Sequence, residues 1–590
     1  AYSADEAFLS LALDRFTGVG PQSRLARGSV DATLMLDPNH AVFEAQVVPG
    51  LRQLHPRSAD LRPVRFDQMH AKVALLAFGK CRAGNPEHYR VVVSTGNWTE
   101  ASAKRLIEMV WSLDIPAGSK EILDRRDLHA CATFFNALMG CYQNGPPIVG
   151  KAMQLLQQCL KMGTPAGPRT STRFISNLPS RRSENGLSLM RCFTDEAAKD
   201  EIARNLLVCG SGFFEQDTRA SGAPKVLDIL TNDLLGKKAA KPGLEMCVVL
   251  NPENGGQVAK YYRHAKPREL TLYRPKDLVC GANAARAQLH AKLCYIGKLR
   301  GARLSGGLLY VGSGNLTFPG FVRRPVLASV DSQDRGSPGN VETGVLVRPD
   351  LDMGPGAMNS WQKLQNLLPI GKSLKPEEVK AQQQAAEEEE FQPAGKPAPP
   401  IMAFTLGTGN SLAVHWSADW KKGAPVEVDI PERGAVVIPD GAEFVALDSA
   451  VAAQWLVVRA DGVEWRIPCL GASGDFPRCV ARQSTFRAWL DELADFPGSW
   501  NDPAGDDPDD GGEEGWTVSD YGQSRNENAF REINRDFPAH AAALLIESVA
   551  QQNGNVPEDR MKDYLAHLQR AMTDGLPPGF LEEWQKIGVN

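Results

Sequence analysis

MHAKVALLAF at residues 69–78 and LHAKLCYIGK at residues 289–298 each place a histidine and a lysine two positions apart at the start of an apolar run. Successive side chains of a β-strand point to opposite faces, so the histidine and the lysine of each pair project from the same face. Each copy therefore presents an imidazole beside an ammonium group. A single His-x-Lys pair often arises by chance. Its occurrence twice, in similar apolar segments, is what suggests a common function.

A second pair of matching segments follows in the same order. RVVVSTGNWT at residues 90–99 and LLYVGSGNLT at residues 308–317 are both apolar strands that run into a small-residue turn and an asparagine. The two histidines lie 220 residues apart in the sequence, and the two asparagines lie 218 residues apart. The common order and the nearly constant spacing predict an internally duplicated α/β unit.

Two looser matches extend the repeat on both sides. ATLMLDP at residues 32–38 is similar to EMCVVLNP at residues 245–252, and a stretch with a helical pattern follows each of them. Downstream, Glu108 and Glu342 each open an apolar segment. The repeat thus covers the first 350 residues or so, and nothing beyond them.

The composition of the 590-residue chain is that of a globular protein with more than one domain. Its net charge of −5 gives no overall attraction to nucleic acid, so any basic surface must be local. No apolar run approaches the roughly 18 residues that cross a bilayer, and no secretion-signal pattern is visible. We therefore expect a cytoplasmic protein that makes no membrane contact. The cysteines form no C-x-x-C pair, which favours reduced core thiols over zinc ligands.

Shifts in composition divide the chain into six segments. A stretch rich in Glu, Gln, Ala and Pro that ends at Pro400 is typical of a solvated, partly helical linker, and NDPAGDDPDDGGEEG at residues 501–515 is too poor in apolar residues to be ordered. In the region between them, Asp461-Gly462 is placed as a hairpin turn. The predicted segments are a first half-repeat at 1–165, a second half-repeat at 166–370, the linker at 371–400, a β-rich domain at 401–500, an acidic loop at 501–525 and a helical module at 526–590.

The repeated residues form a set of phosphate-binding groups if the two halves pair about a pseudo-two-fold axis. Lysines, amides and hydroxyls donate hydrogen bonds to phosphoryl oxygens, and histidines can attack phosphorus or transfer protons. A cleft that received both sets would suit a phosphodiester. The residues in the two sets are His70, Lys72, Ser94, Asn97, His290, Lys292, Ser313 and Asn315.

Two other interpretations of the repeat are open. Asn97-Trp98-Thr99 and Asn315-Leu316-Thr317 are also glycosylation sequons, although the absence of a visible secretion signal argues against glycosylation. The duplication could instead have decayed and been kept only for core packing. Buried lysines without partners are costly, however, and would be lost early in such a fold.

The motifs resemble those of the phospholipase D superfamily, whose members carry two H-x-K motifs, each followed by a G-S/T-x-N turn. The usual motif has an aspartate five residues after the lysine, where this chain has Ala77 and Gly297. Loss of that aspartate in both halves is similar to the tyrosyl-DNA phosphodiesterase branch, in which the motif is His, Lys and Asn. The resemblance implies two similar α/β sandwich domains with a shared active site. To these the chain adds the C-terminal β-rich domain and helical module, which take no part in the resemblance.

The resemblance also implies roles for single residues. His70 would attack phosphorus and form a phosphohistidine, and His290 would protonate the leaving oxygen and then activate water. Glu108 and Glu342 would orient the imidazoles. Cationic side chains would replace a metal, so neither a metal nor another cofactor is expected. The groups that would stabilise charge on the nonbridging oxygens are Lys72, Lys292, Asn97 and Asn315, with Ser94 and Ser313 as further substrate contacts.

A basic and aromatic stretch favours nucleic acid as the substrate. AKYYRHAKPRELTLYRPK at residues 259–276 interleaves rings with cations, so bases could stack while the cations follow the phosphates. Tyr261, Tyr262 and Arg263 are the substrate contacts expected there, and Arg323 would extend the basic track. The alternative is an ordinary basic surface helix and strand.

Three functions remain in view at this point. The leading hypothesis is a metal-independent nuclease or DNA-end-processing phosphodiesterase, within a bacterial defence or repair assembly and with a protein partner such as a helicase on its C-terminal modules. The second is a phospholipid-directed phosphodiesterase of the same superfamily. The third is a scaffold protein that binds phosphates or nucleic acid without turnover.

Overall fold

The computed structural model describes residues 1–476 except 19–23, 25–27, 41–47, 80–85, 144–148, 167–170, 180–185, 216–224, 254, 256–257, 259–269, 278, 281–284, 302, 330–336, 352–359, 381–398, 408–410, 421–424, 431–432, 447–454 and 472–473. The predicted acidic loop and helical module, the end of the β-rich domain and most of the linker lie outside these residues.

The first half builds an antiparallel three-stranded sheet, in the order β4-β5-β7. In β5 every second side chain is buried, among them Tyr89, Val91 and Val93, so the sheet has one packed face. The elements of this half are α1 (Glu6–Thr17), β1 (Ala32–Leu34), β2 (Leu51–Gln53), β3 (Val64–Arg65), β4 (Val73–Phe78), β5 (His88–Ser94), α2 (Glu100–Arg105), β6 (Leu106–Ile107), β7 (Val110–Pro116), α3 (Ile122–Met139) and α4 (Gly150–Met162).

The second half builds a larger mixed sheet of eight strands, in the order β19-β11-β10-β9-β15-β16-β18-β8. Strands β9, β10 and β11 run parallel, and the remaining pairs are antiparallel. Its elements are β8 (Phe174–Ser176), α5 (Leu189–Ala198), β9 (Arg204–Gly210), α6 (Lys225–Gly236), β10 (Ala240–Val249), β11 (Leu270–Pro275), β12 (Val279–Cys280), β13 (Ala285–Arg286), β14 (Gln288–Leu289), β15 (Leu293–Arg300), β16 (Arg303–Gly312), a π-helical turn (Phe318–Val322), β17 (Val326–Leu327), β18 (Thr343–Val347), α7 (Ser360–Leu367), β19 (Ile370–Leu374) and a 3₁₀ turn (Pro376–Glu378).

The duplication is visible in the strand pairing. Strands β15, β16 and β18 are joined in the same antiparallel order as β4, β5 and β7. In both halves the His-x-Lys segment leads into the first strand, a Gly-Asn turn follows the second, and a glutamate precedes the third. The predicted mixed α/β class is confirmed.

Short strands join the two halves beside the repeated motifs. Strand β6 pairs in parallel with β14, and β3 pairs with β17. A bridge also links Met69 to Val341. The β6–β14 pair and the Met69–Val341 bridge fix the start of each His-x-Lys segment against the residues that directly precede the glutamate of the opposite half.

A third sheet of seven strands follows the linker, in the order β23-β22-β25-β26-β20-β21-β24. The predicted turn at Asp461-Gly462 joins β25 to β26 as a two-residue hairpin, and both residues have positive φ angles of 50° and 75°. Its strands are β20 (Ile401–Leu406), β21 (Ser411–Trp416), β22 (Val426–Ile430), β23 (Gly434–Ile438), β24 (Phe444–Ala446), β25 (Trp455–Ala460) and β26 (Val463–Leu470).

One predicted boundary needs correction. The sequence places the start of the linker at residue 371, but residues 371–374 complete β19, which pairs with β11 at the edge of the large sheet. The reason is local: Ile370 and Leu374 are buried at the two ends of the strand, while the residues between them face outward. The described part of the chain contains no helix long and apolar enough to cross a bilayer.

Candidate active site

The first imidazole is held by a carboxylate from the opposite half of the molecule. His70 lies in the extended segment that leads into β4, and only 3% of its surface is exposed. Its backbone N–H donates to the carbonyl oxygen of Val341, 2.9 Å away. Its ring Nδ1 lies 3.0 and 3.1 Å from the two carboxylate oxygens of Glu342. This contact fixes the ring and leaves Nε2 for other chemistry.

Glu342 is held in turn by its neighbours in the second half. The hydroxyl of Ser313 donates to its Oε2, and the amide of Asn340 donates to its Oε1 at 3.2 Å. The backbone N–H of Glu342 donates to Asn177 at 2.8 Å. Burial alone would raise the pKa of this carboxyl, but the charge and hydrogen bond of His70, with the charge of Lys72, lower it below its ordinary value. The carboxylate therefore stays ionised.

The second imidazole repeats this arrangement with the halves exchanged. The backbone N–H of His290 donates to the carbonyl oxygen of Ile107 at 3.1 Å, and its ring Nδ1 lies 2.5 Å from Oε1 of Glu108. The other carboxylate oxygen of Glu108 accepts a hydrogen bond of 2.6 Å from the hydroxyl of Thr95. Burial would raise the pKa of Glu108, but the hydrogen bond and charge of His290 and the charge of Lys292 lower it.

The hydroxyl equivalent to that of Ser313 belongs in the first half to Thr95, and not to Ser94, which the sequence analysis pairs with Ser313. Ser313 and Thr95 both stand two residues before their asparagine and both donate to a glutamate. Ser94 stands three residues before Asn97, so it lies on the other side of the strand end, where its oxygen accepts from the N–H of Gly96 at 3.0 Å. Counting back from the asparagine would have identified Thr95. Both hydroxyls bind a glutamate, so a direct substrate contact is not the role that this geometry supports.

Two buried lysines supply the positive charge of the site. The Nζ atom of Lys72 donates to the carbonyl oxygen of His70 at 2.9 Å, and it lies 5.5 Å from the centre of the Tyr2 ring. The Nζ atom of Lys292 donates to the carbonyl oxygen of Thr95 at 3.1 Å and lies 2.9 Å from Nε2 of His290. Neither lysine is exposed. Such buried cations strongly favour an anionic ligand.

The two sets form one site, because both histidine–glutamate contacts and the Lys292–Thr95 hydrogen bond cross between the halves. Burial lowers the pKa of His70, with contributions from the charges of Lys72 and Lys292, while Glu342 opposes the shift. Burial likewise lowers the pKa of His290, to about 4, with Lys292 and Lys72 adding to the shift and Glu108 opposing it. Each histidine therefore responds to the lysine of the other half, and both rings are neutral at pH 7.

The two asparagines occupy equivalent turns. Asn97 follows β5 and Asn315 follows β16, and Thr99 and Thr317 cap the turn that comes next in each half. In the described part of the chain, the Oδ1 atom of neither asparagine has a hydrogen-bond partner, although both atoms are buried. A buried polar atom without a partner is costly, and turning the carboxamide would offer its NH₂ group to a phosphoryl oxygen.

Two aromatic side chains that the sequence analysis missed also border the site. The Tyr2 ring lies with its centre 5.1 Å from that of His70, and the Phe213 ring lies 6.0 Å from that of His290, both in edge-on orientation. Neither residue belongs to a repeated motif, so no sequence signal marks it. Among the other expected contacts, Arg323 is exposed beside the ring of Phe318, 5.6 Å from its centre. Tyr261, Tyr262 and Arg263 lie outside the described residues.

No metal centre accompanies these groups in the part of the chain that the structure describes, where no three His, Cys, Asp or Glu side chains are arranged to hold an ion. The site instead combines two neutral imidazoles on ionised carboxylates with two buried ammonium groups and two amides. Such a set can bind a phosphoryl group, attack it through nitrogen and transfer protons.

Comparison with known proteins finds no matching family model and no significant match among curated sequences. Among solved structures, a mutant of the yeast tyrosyl-DNA phosphodiesterase matches over 54% of this chain and 77% of its own, with 12% identity and a TM-score of 0.34. The phosphatidylserine synthase of Haemophilus influenzae matches over 63% of this chain and 88% of its own, with 11% identity and a TM-score of 0.30. Both neighbours are enzymes of the phospholipase D superfamily, whose motifs this sequence resembles.

Proposed function

We propose that this chain is a phosphodiesterase that cleaves nucleic acid through a phosphohistidine intermediate and without a metal. The observation that carries the proposal is the crossed pairing of the site: Glu342 holds His70 and Glu108 holds His290. Each dyad takes its histidine from one half and its carboxylate from the other. Core packing alone does not require two such buried, charged dyads, because burying them is costly.

The reaction divides into two transfers. Nε2 of His70 attacks phosphorus and forms a P–N bond, while the P–O bond to the leaving group breaks. His290 must carry a proton on Nε2 for this step, and it gives that proton to the departing oxygen. His290 then takes a proton from water, the water oxygen attacks phosphorus, and the P–N bond breaks. Lys72, Lys292 and the two amides stabilise the negative charge that builds on the nonbridging oxygens.

The substrate part of the proposal rests on one exposed cation that follows Asn315 in sequence and on a basic, aromatic part of the sequence. Arg323 is exposed just beyond Asn315, and the basic, aromatic stretch at residues 259–276 belongs to the same half. A track of cations and rings binds a nucleic-acid strand through its phosphates and bases. A protein partner such as a helicase, a place in a bacterial defence or repair assembly, and a cytoplasmic location belong to the same proposal.

One observation favours the phospholipid-directed alternative. A cavity of about 660 Å³ lies between α1, β4, α3 and α4, and most of its surface is apolar. Met69 and Ala71, the neighbours of His70 in sequence, contribute to its lining. A volume of this size suits a small apolar ligand, and an acyl chain beside a phosphoryl site would fit that description.

The test is to trap the covalent intermediate. In buffer with EDTA, the protein is incubated with end-labelled single-stranded DNA, duplex DNA, 3′-adduct DNA and phosphatidylcholine. The His290→Asn variant lacks the base for the second transfer, so we expect an acid-labile protein–DNA adduct to accumulate, with the label on the peptide that contains His70. The His70→Ala variant should give no adduct.

Other outcomes would change the proposal in defined ways. Cleavage that EDTA abolishes and magnesium restores would contradict the metal-independent mechanism. Label on the His290 peptide in the His70→Ala variant would reverse the two roles. Turnover of phosphatidylcholine alone would favour the lipid alternative, and the absence of both adduct and turnover would favour a binding protein.

A further inference from the structure

The turns that follow the two asparagines start in the same way and then differ. In both halves a threonine caps the turn: Thr99 accepts from the N–H of Ser102, and Thr317 accepts from the N–H of Gly320. The first position after each cap is Glu100 in the first half and Phe318 in the second. Glu100 is an ordinary residue for a helix start, because a carboxylate is favourable at the positive end of the helix dipole. Phe318 is instead half-buried, and its side chain packs against the buried core of the second half.

Two exposed cations lie beside the Phe318 ring. The Nζ atom of Lys225 is 4.8 Å from its centre, and the guanidinium carbon of Arg323 is 5.6 Å from it. The adjacent Arg324 is used differently, since its guanidinium donates to the carbonyl oxygen of Gly186. Lys225 is the first residue of α6, where a cation opposes the helix dipole, so helix stability does not account for it.

The turn that carries Phe318 is packed against the backbone of Asn315. The N–H of Thr317 donates to the carbonyl oxygen of Asn315 at 2.7 Å, which brings the turn back over the asparagine. Gly320 is pressed against the backbone of Asn315, because a Cβ atom there would meet its carbonyl oxygen at 2.8 Å. The Phe318 ring therefore stands on the turn that directly follows Asn315, whose buried Oδ1 atom has no hydrogen-bond partner among the described residues.

We infer that Phe318, Lys225 and Arg323 form a stacking platform for the nucleobase next to the scissile phosphate, and that the substrate is a single strand or an unpaired end. A base within a duplex has both faces covered, so only an unpaired base can lay its face on a ring. The charged groups of Lys225 and Arg323 lie at the ends of flexible, exposed side chains. They can move from the ring to phosphate oxygens when a base takes their place. This inference rests on the proposed function and names its substrate class.

The first half provides the matched comparison. At the turn equivalent to Phe318–Val322 it carries α2, in which Glu100 and Lys104 form an ion pair. That side of the pseudo-two-fold axis presents a carboxylate and no ring at the equivalent position. The platform therefore makes the two ends of the cleft different, so a nucleic-acid strand would bind in one direction.

The test compares substrates with and without a base. The probes are the 3′- and 5′-(4-nitrophenyl phosphate) esters of thymidine, their abasic counterparts and bis(4-nitrophenyl) phosphate. Phe318→Ala should raise the KM for one thymidine ester by about 5- to 100-fold, the range expected from losing one stacked base. The KM for the matching abasic ester, which has no base to stack, should change much less. Phe318→Tyr keeps an aromatic ring and should retain the wild-type KM values. Phe318→Leu has no ring but keeps a large apolar side chain, so it should show the same loss as Phe318→Ala without a cavity that could impair folding.

A second measurement tests the cations. Binding of a (dT)₁₂ single strand should weaken with salt, and Lys225→Gln or Arg323→Gln should each reduce the slope of log K against log salt by about 0.7. Lys104→Gln, in the equivalent turn of the first half, should leave the slope unchanged. The (dA)₁₂·(dT)₁₂ duplex should compete weakly against the single strand.

The outcomes separate the platform from the proposed function. An equal loss on all three kinds of ester would make Phe318 a structural residue and overturn the platform, as would wild-type KM values in Phe318→Ala. A Phe318→Ala defect on phosphatidylglycerol vesicles, with none on thymidine esters, would assign the cluster to a lipid site. If the wild-type protein cleaved none of the esters and formed no phosphohistidine, the proposed function would fail irrespective of Phe318.

Discussion

Each imidazole depends on a carboxylate from the opposite half, so neither half can hold a complete site. The ionised carboxylate accepts the proton on Nδ1, which fixes the tautomer and leaves a lone pair on Nε2. His70 and His290 are equivalent in this respect. The difference between attacking group and proton donor must therefore come from their surroundings and from the bound substrate.

The lysines shape the pH dependence of the site. Both imidazoles have lowered pKa values, chiefly because they are buried and then because of the nearby ammonium groups. A bound phosphodiester brings a negative charge between these cations and would raise both values again. Productive substrate capture by the free protein needs His70 neutral and His290 protonated, although the pKa of His290 is only about 4.

We therefore predict that kcat/KM reaches its maximum below pH 6.5, the ordinary pKa of histidine. The free protein sets this parameter, and its protonated His290 is lost as the pH rises. The rate should fall steadily from pH 6.5 to pH 8, with a bell-shaped profile over the wider range. The measurement is kcat/KM for bis(4-nitrophenyl) phosphate between pH 3.5 and 9.

Replacing Glu108 by glutamine tests whether protonated His290 sets the pH dependence, because the direction of the resulting change in the His290 pKa is known. The carboxylate raises the pKa of His290, so its removal should lower that pKa and move the maximum to more acidic pH. At pH 7.5 we expect a loss of about tenfold or more in kcat/KM. Glu87→Gln is the control, because Glu87 directly precedes β5 and Asn97 follows the other end of that strand. A maximum that stayed in place or moved to higher pH would contradict this account of His290.

At the scale of the elements, the turn after β5 decides whether Glu108 can reach His290. Gly96 lies directly against that carboxylate, because a Cβ atom built on it would lie 2.7 Å from Cδ and Oε1 of Glu108. The equivalent Gly314 meets the carbonyl oxygen of Gly320 at 2.6 Å. The glycines of the repeated turns are thus required by space, and neither has a positive φ angle.

We therefore expect Gly96→Ala to lower kcat strongly and the melting temperature only slightly. The added methyl group displaces the end of the flexible Glu108 side chain, so the fold can accommodate it while the dyad with His290 cannot. A displacement of about 1 Å costs on the order of 100-fold in rate. Gly118→Ala, beyond the far end of β7 where a Cβ atom meets nothing within 4 Å, is the control. Measurements of kcat and the melting temperature separate the two effects, and an unchanged kcat would show that the carboxylate can move aside without harm.

Much of this site could be predicted from the sequence because its residues recur in order. The two His-x-Lys pairs, the two asparagines and the two glutamates can all be identified from the repeat, and the structure joins each histidine to the glutamate of the other half. Matching by residue type pairs Ser94 with Ser313, because both are serines. Alignment on the asparagines pairs Ser313 with Thr95, which is the residue that reaches Glu108. Tyr2 and Phe213 could not be predicted, because their position depends on contacts between distant segments.

At the scale of the whole molecule, the seven-stranded sheet is packed on the first half. Met402, Leu470 and Phe476 belong to the same buried core as residues of β4, β5 and α3. The N–H of Phe476 donates to the carbonyl oxygen of Gly28 at 2.8 Å. The adjacent Asp475 accepts from the N–H of Val30 at 2.9 Å.

This packing could not be foreseen from the sequence. The strands between residues 401 and 470 can be recognised by their alternation, but alternation identifies only a buried face and does not show which surface covers it. The Val30–Asp475 contact joins residues 445 positions apart, and no local pattern encodes it. The linker composition at 371–400 indicates the opposite, that the β-rich domain is an independent unit.

Removing residues 401–590 should therefore destabilise the catalytic halves, whereas removing only 477–590 should not. The shorter chain would expose the surfaces that Met402, Leu470 and Phe476 cover in the full chain. Burial of each such side chain contributes about 1.5–3 kcal/mol to the free energy of unfolding. The total for a typical protein is only about 5–15 kcal/mol. We expect a drop of several degrees or more in melting temperature, aggregation, and loss of bis(4-nitrophenyl) phosphate cleavage. The chain that ends at residue 476 is the matched control, because it keeps these contacts and should cleave the small ester at the full-length rate. If the chain that ends at residue 400 melted and turned over like the full-length protein, the sheet would be an appendage and the shared core would contribute little to stability.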